Sequence, residues 1–228
     1  MPLCNFFQKY DRLVLFDTET TGLAYSRDEI IEFAAVVVEM VEGKPTITAE
    51  YDELTQLSPG NLIPPKIQQL TGITNEDVRL KGLPKEQVCQ DMAKLFQGNA
   101  LLVAFNAHFD LSFLYYMLLR SGDPTILKGK DKLDLLTAFR DRRVPPNRLA
   151  NAIEAYDLTG KVVNSHRAVD DVIATVAVME EMAKEKDDLL QYINLFGYHP
   201  IYGLEGKPIG SVTYKPHATD LTTPLYLK

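Results

Sequence analysis

The feature that most limits the folds open to this chain is a change of rhythm: three strand-like runs come first, and helices alternating with a buried-type strand follow. Residues 12–17 (RLVLFD) are a short apolar run rich in strand formers, and TETTG at 18–22 breaks it with turn-prone residues. Residues 30–40 (IIEFAAVVVEM) and 46–54 (TITAEYDEL) are two more strand candidates, joined through the turn material EGKP. Together they predict a three-strand meander. Pro64 and Pro65 then open a short helix that Gly72 closes. KEQVCQDMAKLF spaces Val88, Met92, Leu95 and Phe96 as a helix does, and ALLVAF is short enough for a buried strand. DLSFLYYMLLR from Asp110, KLDLLTAFR, NRLANAIEAY and AVDDVIATVAVMEEMAKE read as further helices. A meander followed by this alternation predicts an α/β chain, a mixed sheet with helices on both faces.

A chain of 228 residues can bury one sizeable core, and its 46% hydrophobic and 24% charged composition excludes extensive disorder. Residues 1–188 read as one domain. After Asp188 the composition turns to six aromatics with frequent Gly and Pro, so residues 189–228 read as an extension that packs on the domain or on a second subunit, as in a homodimer. Two cysteines, Cys4 and Cys89, exclude a disulfide framework and a cysteine-built zinc site. With no signal-like start and no apolar run of spanning length, the chain is read as cytoplasmic, without a membrane partner.

The net charge of −7 disfavours whole-molecule attraction of a polyanion, so any nucleic-acid contact must be local. The stretch from Lys128 to Arg148 offers one such place, with Lys128, Lys130, Lys132, Arg140, Arg142, Arg143 and Arg148 against Asp131, Asp134 and Asp141. A solvated helix face is the other reading of the same residues.

Chemistry is suggested by acids. Asp17 and Glu19 lie two apart at the end of the first strand and point the same way if strand geometry persists, although a pair alone could be a solvated strand end. Asp110 follows the strand ALLVAF at a sheet edge, where ligand sites of α/β proteins form; capping the helix is its alternative role. In HRAVDD, five helical residues turn about 500°, roughly 140° off one face. His166 therefore belongs in the loop before the helix and Asp171 in its first turns. A loop histidine beside carboxylates can serve as a general base. Oxygen-rich clusters suit two hard divalent cations, Mg²⁺ or Mn²⁺, and such a pair suits phosphodiester hydrolysis.

FDTETTG at 16–22, NAHFD at 106–110 and HRAVDD at 166–171 resemble, in order and spacing, the DnaQ-like exonucleases of the DEDDh type, with a similarity to proofreading epsilon subunits of bacterial DNA polymerase III. The resemblance implies an RNase H-like exonuclease fold, a five-strand mixed sheet and 3′-to-5′ removal of nucleotides. It also implies Asp17, Glu19, Asp110 and Asp171 as metal ligands, with Asp171 rather than Asp170 as the fourth, and His166 as base. Thr20, Leu23 and Phe109 match positions that hold the terminal nucleoside, with Asn106 supporting the site. The expected substrate is a single-stranded or frayed 3′ end, DNA favoured over RNA, in proofreading or repair; RNA or oligonucleotide trimming and a non-catalytic nucleic-acid-binding module are the alternatives. A polymerase is a partner the resemblance suggests, and QYINLF at 191–196 loosely resembles a sliding-clamp peptide, with Asn194 where an apolar anchor is expected. His108, His199 and His217 read as surface or packing residues, and Asp134 as a helix-start residue.

Overall fold

Strand β1 (Arg12–Thr20) is a continuous run of residues that bury both faces, and it lies at the centre of a five-stranded sheet ordered β3-β2-β1-β4-β5. The other strands are β2 (Ile30–Val41), β3 (Lys44–Leu54), β4 (Ala100–Ala104) and β5 (Asp131–Asp134). The three-strand meander is antiparallel, whereas β4 and β5 run parallel to β1, so the sheet is mixed. This computed structural model describes residues 2–198, 212–216 and 220–228; His199 and His217 lie outside them.

Alternation along β1 and β2 sends side chains into two cores. Leu13, Leu15, Ala34 and Val36 face α5 (Leu135–Arg142), α6 (Leu149–Ala155) and α7 (Ala168–Glu185). Val14, Phe16, Phe33 and Ala35 face α3 (Lys85–Leu95) and α4 (Ala107–Ser121). Helix α7 presents Ala168, Val172, Thr175, Met179 and Met182 as one buried stripe, each large apolar side chain contributing roughly 2 kcal/mol. Two short helices, α1 (Pro65–Thr71) and α2 (Asn75–Leu80), pack with the meander through a small core of Ile67 and Val78 with Ile31 and Leu54; Gly72 ends α1 at φ 72°, a left-handed turn that glycine adopts without strain. Among the described residues no helix is long and apolar enough to cross a membrane.

Two expectations need correcting. The stretch KLDLLTAFR is not one helix: Asp131–Asp134 is the fifth strand and α5 starts at Leu135. A strand of four residues is too short to show a period of two before the helical pattern takes over. The basic stretch from Lys128 to Arg148 is not one continuous face: Lys128 and Arg148 are exposed, whereas Lys132, Arg142 and Arg143 are engaged within the chain. Lys132 is 1% exposed, its Nζ donating to the carbonyls of Leu127 at 3.2 Å and Lys130 at 2.7 Å. Arg142 is turned inward onto Glu185 and Asp188, and Arg143 also pairs with Glu185.

The described parts of the segment after Asp188 join both cores, Leu189, Tyr192, Leu195 and Leu225 on the side of α5 to α7 and Phe196 and Val212 on the side of α3 and α4. Tyr192 and Phe196 of QYINLF are each 1% exposed, so the aromatic side chains a clamp would grip are occupied within the chain. Asn194 is a hydrogen-bonding residue, donating to Asp131 Oδ1 at 2.6 Å and accepting from the Lys132 amide at 3.0 Å.

Candidate active site

Strand geometry persists through Glu19 and ends in an irregularity between Glu19 and Thr20, later than the break expected at Thr18. Asp17 and Glu19 therefore continue the face of Leu13 and Leu15, toward α7. Two strand residues span about 6.6 Å, so the carboxylates share an edge without touching. Across the ladder, Glu19 is in register with Glu32 of β2.

Asp110 is brought to the same edge by α4. It does not cap that helix: the amides of Asn106 and Ala107 both donate to Asp134 Oδ1 at 3.0 Å. The same Asp134 carboxylate accepts from the amides of Leu136 and Thr137 at 3.2 Å, so one buried side chain secures the starts of two helices. Asp134 thus has the helix-start role expected of it. Asp110 sits one turn into α4, 2% exposed, and its Oδ1 accepts from the Thr18 amide at 3.0 Å and the Thr18 hydroxyl at 2.7 Å. These bonds fasten α4 to β1 between Asp17 and Glu19, and they involve only one of the two oxygens.

The third element is the loop into α7. His166 is exposed and holds a left-handed backbone, φ 59°. Asp171 lies in the first turn of α7, 7% exposed, accepting from Asn164 Nδ2 at 2.6 Å. One potential ligand atom from each of Glu19, His166 and Asp171 lies within 4.8 Å of the other two. Asp170 points elsewhere, accepting from the Ser165 hydroxyl at 2.5 Å.

Asp17 and Asp110 fall outside that tight trio but share its field. The Asp17 carboxyl is pushed well above the usual carboxylate range by burial and then by the charges of Asp110, Asp171, Glu19 and Glu32. Burial, followed by Asp171, Glu32 and Asp110, pushes Glu19 up to about 8, with Arg167 pulling it down. Burial carries Asp110 up to about 7 despite the Thr18 bonds that favour its ionised form. Asp171 is raised by burial, with Asn164 and His166 opposing. Carboxylates so crowded cannot all ionise unless cations intervene; otherwise some of them hold protons.

The residues expected to hold a nucleoside flank the acids along the chain, Thr20 and Leu23 after Glu19, Asn106 and Phe109 before Asp110. Thr20 is buried and its hydroxyl donates to the Gly22 carbonyl at 2.7 Å, serving the turn. Leu23 is 77% exposed at that turn. Phe109 is half-buried on Phe113, ring centroids 4.9 Å apart, and Asn106 is exposed with φ 76°. His108 packs edge-on against Tyr214 at 5.6 Å. Sequence reasoning missed Glu32 and Arg167. The available signal was a charged residue inside the apolar run IIEFAAVVV, which a surface role does not explain.

Residues 14–179 match the sequence profile of the exonuclease family RNase_T. The chain is 40% identical over 112 residues to the 3′-5′ exonuclease DinG of Bacillus subtilis, covering 49% of this chain and 11% of DinG. It is 33% identical over 180 residues to the PolC-type DNA polymerase III of Halalkalibacterium halodurans, covering 75% of this chain and 11% of that protein. It thus spans about a tenth of the length of these relatives. A crystal structure of E. coli exonuclease I in complex with a dA16 oligonucleotide superposes with a TM-score of 0.68 over 80% of this chain and 42% of that one, at 22% identity. That likeness is one of fold, the RNase H-like exonuclease fold.

Proposed function

The chain belongs to the RNase_T exonuclease family, and from that premise we propose that it is a 3′-to-5′ exonuclease acting on single-stranded or frayed DNA ends. The observation that carries the reading is the convergence of Asp17, Glu19, Asp110 and Asp171 from three separate elements onto one sheet edge, where burial raises all four carboxyls and the charges of the others raise Asp17 and Glu19 further. Buried structural carboxylates are paired with cations; a buried cluster whose members are crowded together instead is a site for bound positive charge.

An all-oxygen donor set of this kind, with the second oxygen of Asp110 turned from Thr18, fits hard divalent ions such as Mg²⁺ or Mn²⁺. When bound, two such ions supply an acidified water and neutralise charge on the phosphate and leaving oxygen. The chain's own residues do the rest. Asp17 and Asp110 anchor the floor of the site, and Glu19 and Asp171 face the loop. His166, exposed and with a ring nitrogen close to both of those carboxylates, accepts the proton of the attacking water. Leu23 and Phe109 offer apolar surface to the terminal base, and Thr20 and Asn106 shape the turns beside it.

DNA is preferred because the matched relatives include a DNA polymerase III and a DNA-bound exonuclease I structure supplies the fold likeness. The test is a gel with 3′- and 5′-labelled DNA and RNA oligomers in Mg²⁺, in Mn²⁺ and in chelator. Single-nucleotide shortening from the 3′ end, faster on DNA and abolished by chelator, is the expected result. Activity that survives chelation would overturn the metal assignment, and a faster rate on RNA would overturn the substrate.

A further inference from the structure

Glu32 is a fully buried carboxylate, 0% exposed, on the strand next to Glu19 and in register with it. Its hydrogen bonds reach the loop that carries His166. Its Oε1 accepts from Arg167 Nε at 2.8 Å and from Arg167 Nη2, and its Oε2 accepts from the Ala168 amide at 2.7 Å. The Ala168 amide is one of the unsatisfied donors at the start of α7, and Arg167 adjoins His166. One side chain on the sheet thus pins both residues that follow His166.

That grip acts on a residue with an uncommon backbone. His166 is a non-glycine residue at φ 59°, a conformation that persists only where its surroundings over-determine it. Asn164 and Ser165 tether the preceding side to Asp171 and Asp170. The tether to the sheet itself is Glu32, and the sheet is what carries Glu19.

We propose that Glu32 is the positioning residue of the site, holding the His166 loop in register with Glu19 through Arg167 and the Ala168 amide. The proposal rests on the nuclease reading for its kinetic consequence, though not for the mechanical link. Glutamine in its place is isosteric but must turn its amide nitrogen toward either the guanidinium or the Ala168 amide, donor against donor. Loss of Arg167 keeps the Ala168 bond but strips the buried carboxylate of its cation.

The experiment is amide hydrogen exchange by mass spectrometry on the full chain and on Glu32→Gln and Arg167→Ala, alongside steady-state cleavage of a 3′-labelled oligothymidine. In Glu32→Gln, exchange across residues 164–168 should rise at least about tenfold while β1 and β4 keep their protection. Turnover should fall roughly thirtyfold with KM within about twofold, because a misplaced group costs the chemical step rather than binding. Arg167→Ala, which removes the other end of the same link, should show the same pattern, and it keeps the test open if Glu32→Gln does not fold. Unchanged exchange at 164–168, or a loss of protection throughout the sheet with KM and kcat moving together, overturns the proposal. A wild-type chain that cleaves nothing sinks the nuclease reading, and the exchange comparison still decides whether Glu32 holds the loop.

Discussion

The edge around Asp17 and the junction around Arg142 both bury carboxylates, and they treat them in opposite ways. At the junction, Arg142 Nη1 donates to the Met182 carbonyl at 2.8 Å and to Glu185 at 3.2 Å, while Nη2 reaches Asp188. Burial alone would raise Asp188, yet Lys186, Arg142 and Tyr226 hold it below the usual range. At the edge, burial and like charge act together and the carboxyls rise. The same contrast appears within one hairpin. Glu29, ten residues from Glu19, is pulled down to about 2 against its burial by Lys85 and Ser58. Compensated burial builds the fold, and uncompensated burial marks the place where something else must bring charge.

The sharpest way to break that contrast is to neutralise one member of each region. Asp17→Asn should lower oligonucleotide cleavage by at least about a thousandfold. It should also raise the metal-free melting temperature by a few degrees, because it removes repulsion at no cost in volume. Lower stability with retained cleavage would mean that Asp17 belongs with the structural carboxylates. Arg142→Ala should do the reverse. Removing one partner of a buried pair costs about 3 kcal/mol, roughly 10 °C for a chain of this size, with cleavage per folded molecule preserved. Thermal melts and single-turnover rates on both variants decide the matter.

A smaller effect follows from pH. Glu19 at about 8 and Asp110 at about 7 lie above their unfolded values, so between pH 4 and 8 the native metal-free protein holds more protons than the unfolded chain. Stability carried by such groups is present in full at low pH and is lost as pH rises through that window. On the proposed reading, divalent ions would replace the protons. The stabilisation by saturating Mn²⁺ over chelator should therefore grow from pH 5.5 to pH 8, by about 5 °C in melting temperature. A gap that is flat across this range would place the ion away from these carboxylates.

Much of this was legible in residues 12–40 and 166–185, where apolar runs of strand formers bounded by turn residues and one long helical pattern stand out. The alternation that aims Asp17 and Glu19 the same way is a strand property, and the 140° offset that separates His166 from Asp171 is a helix property; both can be read without coordinates. The fifth strand was hidden because Lys132, Leu133 and Asp134 merge into the helical pattern of α5. Arg142 was misread because its partners, Glu185 and Asp188, are more than forty residues away, and local charge counting cannot see them. Glu32 was missed for a related reason. Its meaning lies in a cross-strand neighbour and in a loop 135 residues distant. Local sequence exposes which groups are available, while tertiary pairing decides which of them are compensated.

The finest test of the comparison is the pair Asp170 and Asp171, adjacent acids in the same first turn of α7. Asp171 is buried, raised, and close to Glu19 and His166; Asp170 is half-buried and accepts from the Ser165 hydroxyl. Helical geometry turns neighbours by about 100°, so only one of them can face the edge. Asp170→Asn keeps an oxygen able to accept from Ser165 and changes one charge beside the site without altering its donor set. Cleavage should change by no more than about threefold, the scale expected of one partly screened charge. A loss on the scale of Asp17→Asn would reverse the two assignments, placing the functional carboxylate on the side of α7 that the structure turns away from Glu19.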